Sequence, residues 1–267
     1  MLIHVSRPIE VFDQERFHKV DRQVTGLAFA IHNQFGRYLD EKLYQRALTR
    51  RCRAAGMTVE AELRITASLD DFSRDYLADH LVNGGVIIEA KAASTLIPAH
   101  TGQTLNYLFL CGLHHATLLK IRPDRVQHKF VSTKLTPADR QHYEVVAAGW
   151  RTVSPECDRL RSLLLRMLAE WGTHLDPLLY RDALTHFLGG ETRVVREVGV
   201  NSEGASLGGQ TMHLLTEDIA FSITASTHQP ESVFEHQQRF IRHTPLRAIQ
   251  WVNFNHSQIE LRTIERR

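Results

Sequence analysis

The sequence of 267 residues lacks the features that define several large classes of protein. Its three cysteines, Cys52, Cys111 and Cys157, are far apart and form no CxxC pair, so neither a zinc or iron–sulfur site nor a disulfide framework is expected. No run of about 18 apolar residues occurs, so no segment is expected to span a membrane. The N-terminus has no basic start followed by an apolar core, which predicts a cytoplasmic, reducing location.

The bulk composition leaves the class of protein open. Hydrophobic residues make up 43% of the chain, which is enough for a substantial core, and the length suits one large domain or two of ordinary size. The formal net charge of +2 neither demands nor excludes a nucleic-acid partner, because a local basic groove can exist within a nearly neutral chain. Function therefore has to be sought in local patterns.

The most informative stretch, residues 76–91, has the pattern of a β-hairpin. Two apolar-rich runs are joined by Asn83-Gly84-Gly85, which are residues typical of a tight turn. A three-residue loop at this point pairs Val82 with Val86 and therefore sets residues 79 and 89 opposite each other.

Strand alternation gathers charged side chains on one face of this hairpin. Asp79, Glu89 and Lys91 share that face, whereas His80 points to the other face and is interpreted as structural. Two carboxylates and a lysine on a mostly apolar patch are costly to bury unless they are compensated. A divalent cation would compensate them, and such a site suits hydrolysis of a phosphodiester. The alternative is that Glu89 and Lys91 form a simple exposed charge pair.

The rest of the first half reads as an α/β arrangement. Amphipathic spacing predicts helices over residues 20–35, 40–55 and 101–113, the second with Asp40 as its N-cap. Strands are predicted over residues 57–65, 116–121 and 127–132, in addition to the hairpin. The order of two helices, three strands, one helix and two strands predicts a mixed β-sheet flanked by helices.

The second half of the sequence repeats the first. Eight of fourteen residues agree between 36–49 and 172–185 at a constant offset of 136, and later segments follow at an offset of 133. A period of this length indicates a duplicated domain rather than a solenoid. We therefore predict one domain over residues 1–132, a linker over 133–157 and a repeat of the domain over 158–267. The alternative is a coincidence between two amphipathic helices.

Three further residues of the first copy are candidates for a functional site. Glu41 lies in the first turn of the second predicted helix, where it has the alternative role of a favourable acid at a helix N-terminus. Gln103 and Tyr107 lie four residues apart and so share one face of the third predicted helix, where they are alternatively ordinary helix-surface residues. Between Glu89 and Lys91, Ala90 can offer its backbone carbonyl as an additional oxygen ligand.

Together these residues resemble the PD-(D/E)XK nuclease signature. Asp79 is followed ten residues later by Glu89-Ala90-Lys91, and the stretch 103–107 resembles the QxxxY motif of the RecB-like and lambda-exonuclease-like branch. Residues 39–44 resemble the motif of the small bacterial GxxExxY family within that superfamily. Tyr38 replaces the glycine of that motif, although Gly36 stands two residues earlier. The resemblance covers about residues 22–132.

The resemblance implies two tandem restriction-endonuclease-like α/β domains, each with a mixed central sheet flanked by helices. It also implies that Asp79, Glu89, Glu41 and the Ala90 carbonyl hold Mg²⁺ or Mn²⁺, through the hard oxygen ligands that these cations prefer. Lys91 would orient the attacking water or neutralise the developing charge. Gln103 and Tyr107 would position the nucleic-acid strand.

The second copy is predicted to have lost this chemistry. By the offsets above, the site positions of the first copy are occupied there by Pro177, Met212, Ser222, Thr224, His236 and Phe240. The carboxylates and the lysine are missing, so this copy is expected to be a pseudo-nuclease domain that cannot hold a hard cation at that place.

These observations predict a metal-dependent nuclease that hydrolyses nucleic acid, with DNA as the expected substrate, through its N-terminal domain. The copies are expected to lie side by side as a pseudo-dimer within a monomer. One alternative is a catalytically silent nucleic-acid-binding or assembly module built on the same fold, and another is a hydrolase of a different phosphate ester.

Overall fold

A computed structural model describes residues 2–266, and these divide into two compact units. The N-terminal unit comprises the described residues up to Ser68 together with Ser73–Pro137. The C-terminal unit comprises Leu69–Phe72 and the residues from Ala138 onward.

The described part of the N-terminal unit contains a six-stranded mixed sheet and three helices. The sheet order is β1-β2-β3-β4-β5-β6, with β4 and β5 parallel and the pairs β1–β2, β3–β4 and β5–β6 antiparallel. Along the chain the elements are β1 (Leu2–Val5), α1 (Gln14–Phe35), α2 (Glu41–Ala54), β2 (Val59–Leu69), β3 (Phe72–Val82), β4 (Val86–Lys91), α3 (Pro98–Cys111), β5 (His115–Lys120) and β6 (Gln127–Ser132).

Helices α1 and α2 cover one face of this sheet because their apolar sides meet the small and branched residues of β4. The Asp13 carboxylate caps the start of α1 by accepting from Arg16 N, and the chain leaves the helix at Gly36 with a φ of 73°. Ile88 and Ala90 are fully buried in the core that the two helices form. The side chains of Glu89 and Lys91, which alternate with them, therefore point to the other face.

Helix α3 lies on that other face. Lys129 of β6 pairs with Leu118 of β5, which in turn pairs with Glu89, so these three side chains point to the same side of the sheet. The Lys129 ammonium donates to Thr101 Oγ1 near the start of α3, at 3.0 Å. The charged residues of β4 therefore lie on the face that α3 covers.

The β3–β4 hairpin has the predicted register. Val82 pairs with Val86, and Gly85 N donates to Val82 O at 3.1 Å. Asn83 and Gly84 both adopt positive φ angles, 50° and 72°, a combination typical of the type I′ hairpin turn. The turn residues thus fix the register that sets position 79 opposite position 89.

The C-terminal unit likewise contains a six-stranded mixed sheet within the described residues, in the order β7-β12-β11-β10-β9-β8. After a 3₁₀ turn at residues 139–141, its elements are β7 (Glu144–Gly149), α4 (Pro155–Trp171), α5 (Pro177–Phe187), α6 (Glu191–Val194), β8 (Val195–Ser202), β9 (Ala205–Leu214), β10 (Ile219–Thr224), α7 (Pro230–Ile241), β11 (Ala248–Asn255) and β12 (Gln258–Glu265). The predicted fold class, a mixed sheet flanked by helices in each half, is confirmed.

The two sheets share one pairing register. A row of residues across four neighbouring strands in one unit corresponds, at a constant offset of 133, to the row in the other. The rows are Leu81, Ile87, Ala116 and Val131 in β3 to β6, and Leu214, Ala220, Ile249 and Ile264 in β9 to β12. A slip of one residue in any strand would break this agreement.

The helices that precede these sheets also agree in detail. Tyr44 and Tyr180, at an offset of 136, are both buried and donate to backbone carbonyls. Thr49 and Thr185 each donate to the carbonyl four residues earlier in their helix. The buried tyrosine and the threonine bond thus recur in both units, whereas the acceptors of the two tyrosines, Ala28 O and Gly172 O, lie at positions that are not equivalent.

The sixth strand is where the two units differ. β1 pairs antiparallel with β2, whereas β7 pairs in parallel with β12 at the opposite edge of the sheet. The sequence pattern predicts neither strand and indicates a linker over residues 133–157. The structure places β7 and the first turn of α4 within that segment. In the described part of the chain, no helix is long and apolar enough to cross a membrane.

The close packing behind the hairpin turn gives a first prediction. A Cβ atom added at Gly85 would lie 2.6 Å from Glu10 O and from the Phe12 ring, so Gly85→Ala should lower the free energy of unfolding by about 1–3 kcal/mol. Gly102→Ala is the matched control. An added Cβ meets nothing within 4 Å there, and alanine favours helix α3 by up to about 1 kcal/mol.

Both effects are measured by urea denaturation of the full chain, with hydrogen exchange of the amides of α1 to β6 as the readout. Tryptophan fluorescence is unsuitable because all three tryptophans, Trp150, Trp171 and Trp251, lie in the C-terminal unit. Equal stability of the two variants would contradict the packing argument.

Candidate active site

The site forms where the β3–β4 ladder ends. The pairing runs from Val82–Val86 to His80–Ile88, and beyond it side chains replace the backbone partners. Asp79 N donates to Glu89 Oε1 at 2.8 Å, and Ala90 N donates to Asp79 Oδ2, also at 2.8 Å. The carboxylates predicted to face each other are thus held on the two strands by reciprocal bonds to backbone N–H groups.

The lysine of the predicted signature pairs with one of these carboxylates. Lys91 Nζ lies 3.2 Å from Glu89 Oε2, and the two side chains are only 15% and 1% exposed. Two carboxylates and one ammonium leave a surplus of negative charge in a place where charge is expensive to bury.

Glu41 reaches the same strand end from the first residue of α2. Its Oε2 accepts from Ala92 N at 2.6 Å, one residue past the end of β4. His80 helps to hold that helix, because its Nε2 donates to Gln45 O of α2 at 3.1 Å while the ring is almost fully buried. Three carboxylates from three elements are therefore anchored on or beside β4.

Burial and mutual repulsion shift the protonation of this cluster. Burial, reinforced by the charge of Asp79, raises the pKa of Glu89 to about 7. Burial also raises the pKa of Asp79 above its usual range. For Lys91, burial acts to lower the pKa, but the carboxylates of Glu89 and Asp79 outweigh it and raise the pKa. Glu89 therefore exchanges its proton readily near neutral pH.

The donor set fits a hard divalent cation by its chemistry, since the side chains offer carboxylate oxygens alone. Within residues 2–266, no group of three or more His, Cys, Asp or Glu side chains is disposed to hold a metal ion. The carboxylates instead accept from backbone N–H groups and from Lys91. Ala90 pairs with Leu119 in the β4–β5 ladder, and the role of its carbonyl as a ligand stays a prediction.

The two residues predicted to position the substrate prove to be unequal. Gln103 Nε2 donates to Tyr107 OH at 2.7 Å, and Tyr107 OH donates to Leu77 O at 2.9 Å. Tyr107 is buried, and burial raises the pKa of its hydroxyl, which therefore stays neutral and fastens α3 to β3. Gln103 is exposed, so its amide is the group of the pair that faces solvent.

The C-terminal unit holds neutral groups at the equivalent positions. Ser222 Oγ donates to Gln237 Oε1 at 2.8 Å. Thr224 Oγ1 donates to Asn253 Oδ1 at 2.8 Å and accepts from Trp251 Nε1 at 2.9 Å. These side chains satisfy each other and present no carboxylate in place of Asp79 or Glu89.

Comparison with known proteins gives one match. Residues 18–131 match the sequence model of the family described as the PD-(D/E)XK nuclease superfamily. The matched stretch spans α1 to β6 and includes all six of the predicted site residues, which are Glu41, Asp79, Glu89, Lys91, Gln103 and Tyr107. No curated protein and no solved structure matches the chain.

The raised pKa of Glu89 predicts how stability depends on pH. Between about pH 4.5 and 7 the unfolded chain releases the proton of residue 89 while the folded protein retains it, so the metal-free protein should lose stability as the pH rises through this window. In Glu89→Gln this contribution is absent. The free energy of unfolding of the wild type, relative to that of the variant, should therefore fall by about 1.4 kcal/mol for each pH unit within this window.

Chemical denaturation of both proteins from pH 4.5 to 8 in a chelator measures this difference. Added Mg²⁺ or Mn²⁺ at pH 8 should stabilise the wild type more than the variant, because only the wild type has the Glu89 carboxylate beside that of Asp79. A difference in stability that is flat or rises with pH would show that Glu89 titrates normally.

Proposed function

We propose that the N-terminal unit is a divalent-metal-dependent nuclease that hydrolyses phosphodiester bonds of nucleic acid, with DNA as the expected substrate. The observation that carries this proposal is the placement of Asp79, Glu89 and Lys91 at the open end of the β3–β4 ladder, within a stretch that matches the nuclease superfamily. Such a set of hard oxygen donors beside one ammonium suits cleavage of a charged ester.

In this proposal Asp79 and Glu89 hold Mg²⁺ or Mn²⁺, with Glu41 and the Ala90 carbonyl completing the oxygen donors. When bound, the cation supplies a water of lowered pKa and neutralises charge on the scissile phosphate. Glu89 enters this state by losing its proton, which its pKa of about 7 allows near neutral pH.

Lys91 has the role of a positioned cation. Its ammonium is mostly buried and already fixed by Glu89 at 3.2 Å, so it can orient the attacking water or stabilise charge that develops on the phosphate without first becoming ordered. Gln103, exposed on α3 and tied to Tyr107, positions the nucleic-acid strand through its amide. Tyr107 acts through Gln103 and through its bond to β3.

We also propose that the C-terminal unit is a degenerate copy of the same domain. The shared register across four strands supports a duplication. The neutral hydrogen bonds of Ser222 with Gln237 and of Thr224 with Asn253 support the loss of catalysis. Its remaining role in this proposal is binding or packing, without hydrolysis.

The decisive experiment measures cleavage of labelled single- and double-stranded DNA and RNA in Mg²⁺ and in Mn²⁺. Lys91→Met should reduce kcat by at least about 100-fold, because it removes a charge that acts at the reacting phosphate while retaining much of the side-chain volume. Ser222→Ala, at the position equivalent to Glu89, is the matched control and should retain nearly full activity.

Circular dichroism and thermal unfolding of each variant confirm that the fold is intact. Binding of nucleic acid by the wild type without cleavage in either metal would favour the silent binding module over the nuclease. Loss of activity in folded Ser222→Ala would contradict the division of labour between the units.

A further inference from the structure

A second lysine stands beside Lys91 on the same face of the sheet. Lys120, the last residue of β5, pairs in register with Lys91, the last residue of β4. Because β4 and β5 are parallel, residues paired in register project to the same side, about 5 Å apart along the sheet. Lys120 therefore lies next to the candidate active site, on the face that carries Glu89.

The ammonium of Lys120 is not neutralised inside the protein. Lys91 has Glu89 as its ion-pair partner at 3.2 Å. For Lys120, the structure of residues 2–266 gives neither a hydrogen bond nor a carboxylate partner, although its side chain is partly buried. Like charges at directly paired positions destabilise a sheet. Glu89 offsets this repulsion for Lys91, whereas the charge of Lys120 has no direct partner in the described part of the chain.

The C-terminal unit holds side chains that hydrogen-bond to one another at the positions equivalent to the two lysines. Lys91, Lys120 and Gln127 lie in one row across β4, β5 and β6, and their equivalents are Thr224, Asn253 and Glu260. There Thr224 donates to Asn253 at 2.8 Å, and Asn253 donates to Glu260 Oε2 at 3.3 Å. In the C-terminal unit, the side chains of this row hydrogen-bond to one another. In the N-terminal unit, which has the acidic cluster, the row presents two cations.

We propose that Lys120 is a positioning residue that binds a non-scissile phosphate of the nucleic-acid strand, next to the scissile phosphate that a cation held by Asp79 and Glu89 would bind. This inference rests on the proposed nuclease function and adds a phosphate subsite to it. A lysine binds phosphate as a point charge, which fits a contact that positions the strand without reading its sequence.

Three variants of the full chain test the subsite. Lys120→Gln removes the charge, Lys120→Arg restores it, and Lys19→Gln removes one charge from an exposed position on α1, on the opposite face of the sheet. Lys120→Gln should raise KM by about 3- to 30-fold while kcat changes less than about 3-fold. It should also reduce the slope of log Kd against log salt by about 0.7–0.9, the value for one lost phosphate contact.

Binding of the same labelled DNA is measured by fluorescence anisotropy in Ca²⁺, so that the subsite is tested apart from hydrolysis. Lys120→Arg should recover most of the affinity, and Lys19→Gln should behave as wild type. An unchanged KM and salt slope in Lys120→Gln, or an equal loss in Lys19→Gln, would overturn the subsite while leaving the nuclease intact. Wild type that binds without cleaving, with weaker binding in Lys120→Gln, would retain the subsite and reject the nuclease. Wild type that neither cleaves nor binds rejects both.

Discussion

The candidate site depends on the way in which three backbone N–H groups are satisfied at one strand end. Where the β3–β4 ladder stops, Asp79 N, Ala90 N and Ala92 N donate to the carboxylates of Glu89, Asp79 and Glu41. Buried N–H groups must find acceptors, and here the carboxylates supply them, which also fixes the orientation of the carboxylates. The same bonds concentrate negative charge that the single ammonium of Lys91 cannot balance. A cluster of carboxylates that the fold holds in place, and that has more negative than positive charge, suits the binding of a cation.

The two units show how much of this design belongs to the fold and how much to the side chains. Their strands agree in register across four neighbours, and their helices preserve the buried pair of Tyr44 and Tyr180. The sheet therefore survives without the acidic cluster, since hydroxyl and amide groups satisfy the equivalent positions in the C-terminal unit. The carboxylates are costly additions to a framework that does not need them, which is the relation expected when residues are retained for chemistry rather than stability.

Local pattern was sufficient where one turn or one periodicity decides the outcome. The Asn83-Gly84-Gly85 loop fixed the hairpin register. Helical spacing located α2 and α3 to within about three residues and found the end of α1, but it missed the first turns of α1. Contacts between segments that are distant in the sequence could not be predicted from local pattern. The four residues of β1 carry little pattern and acquire their place only by pairing with β2. Likewise, nothing in the stretch 103–107 reveals that the Tyr107 hydroxyl donates to Leu77 O. The pairing of Lys120 with Lys91 also depends on strands that are distant in the sequence.

The first strand of each unit, β1 or β7, pairs with a different edge of its sheet. Within residues 2–266, β1 shields β2 and leaves β6 as the outermost strand of one sheet, whereas β7 shields β12, the counterpart of β6, in the other. The agreement between the two sheets thus ends at this strand, which has no counterpart among the described residues at the same edge of the other sheet. One consequence concerns the edge of the sheet: β6 exposes Gln127 and Lys129 on the face that carries Lys120, whereas the equivalent strand β12 has its outer edge paired with β7.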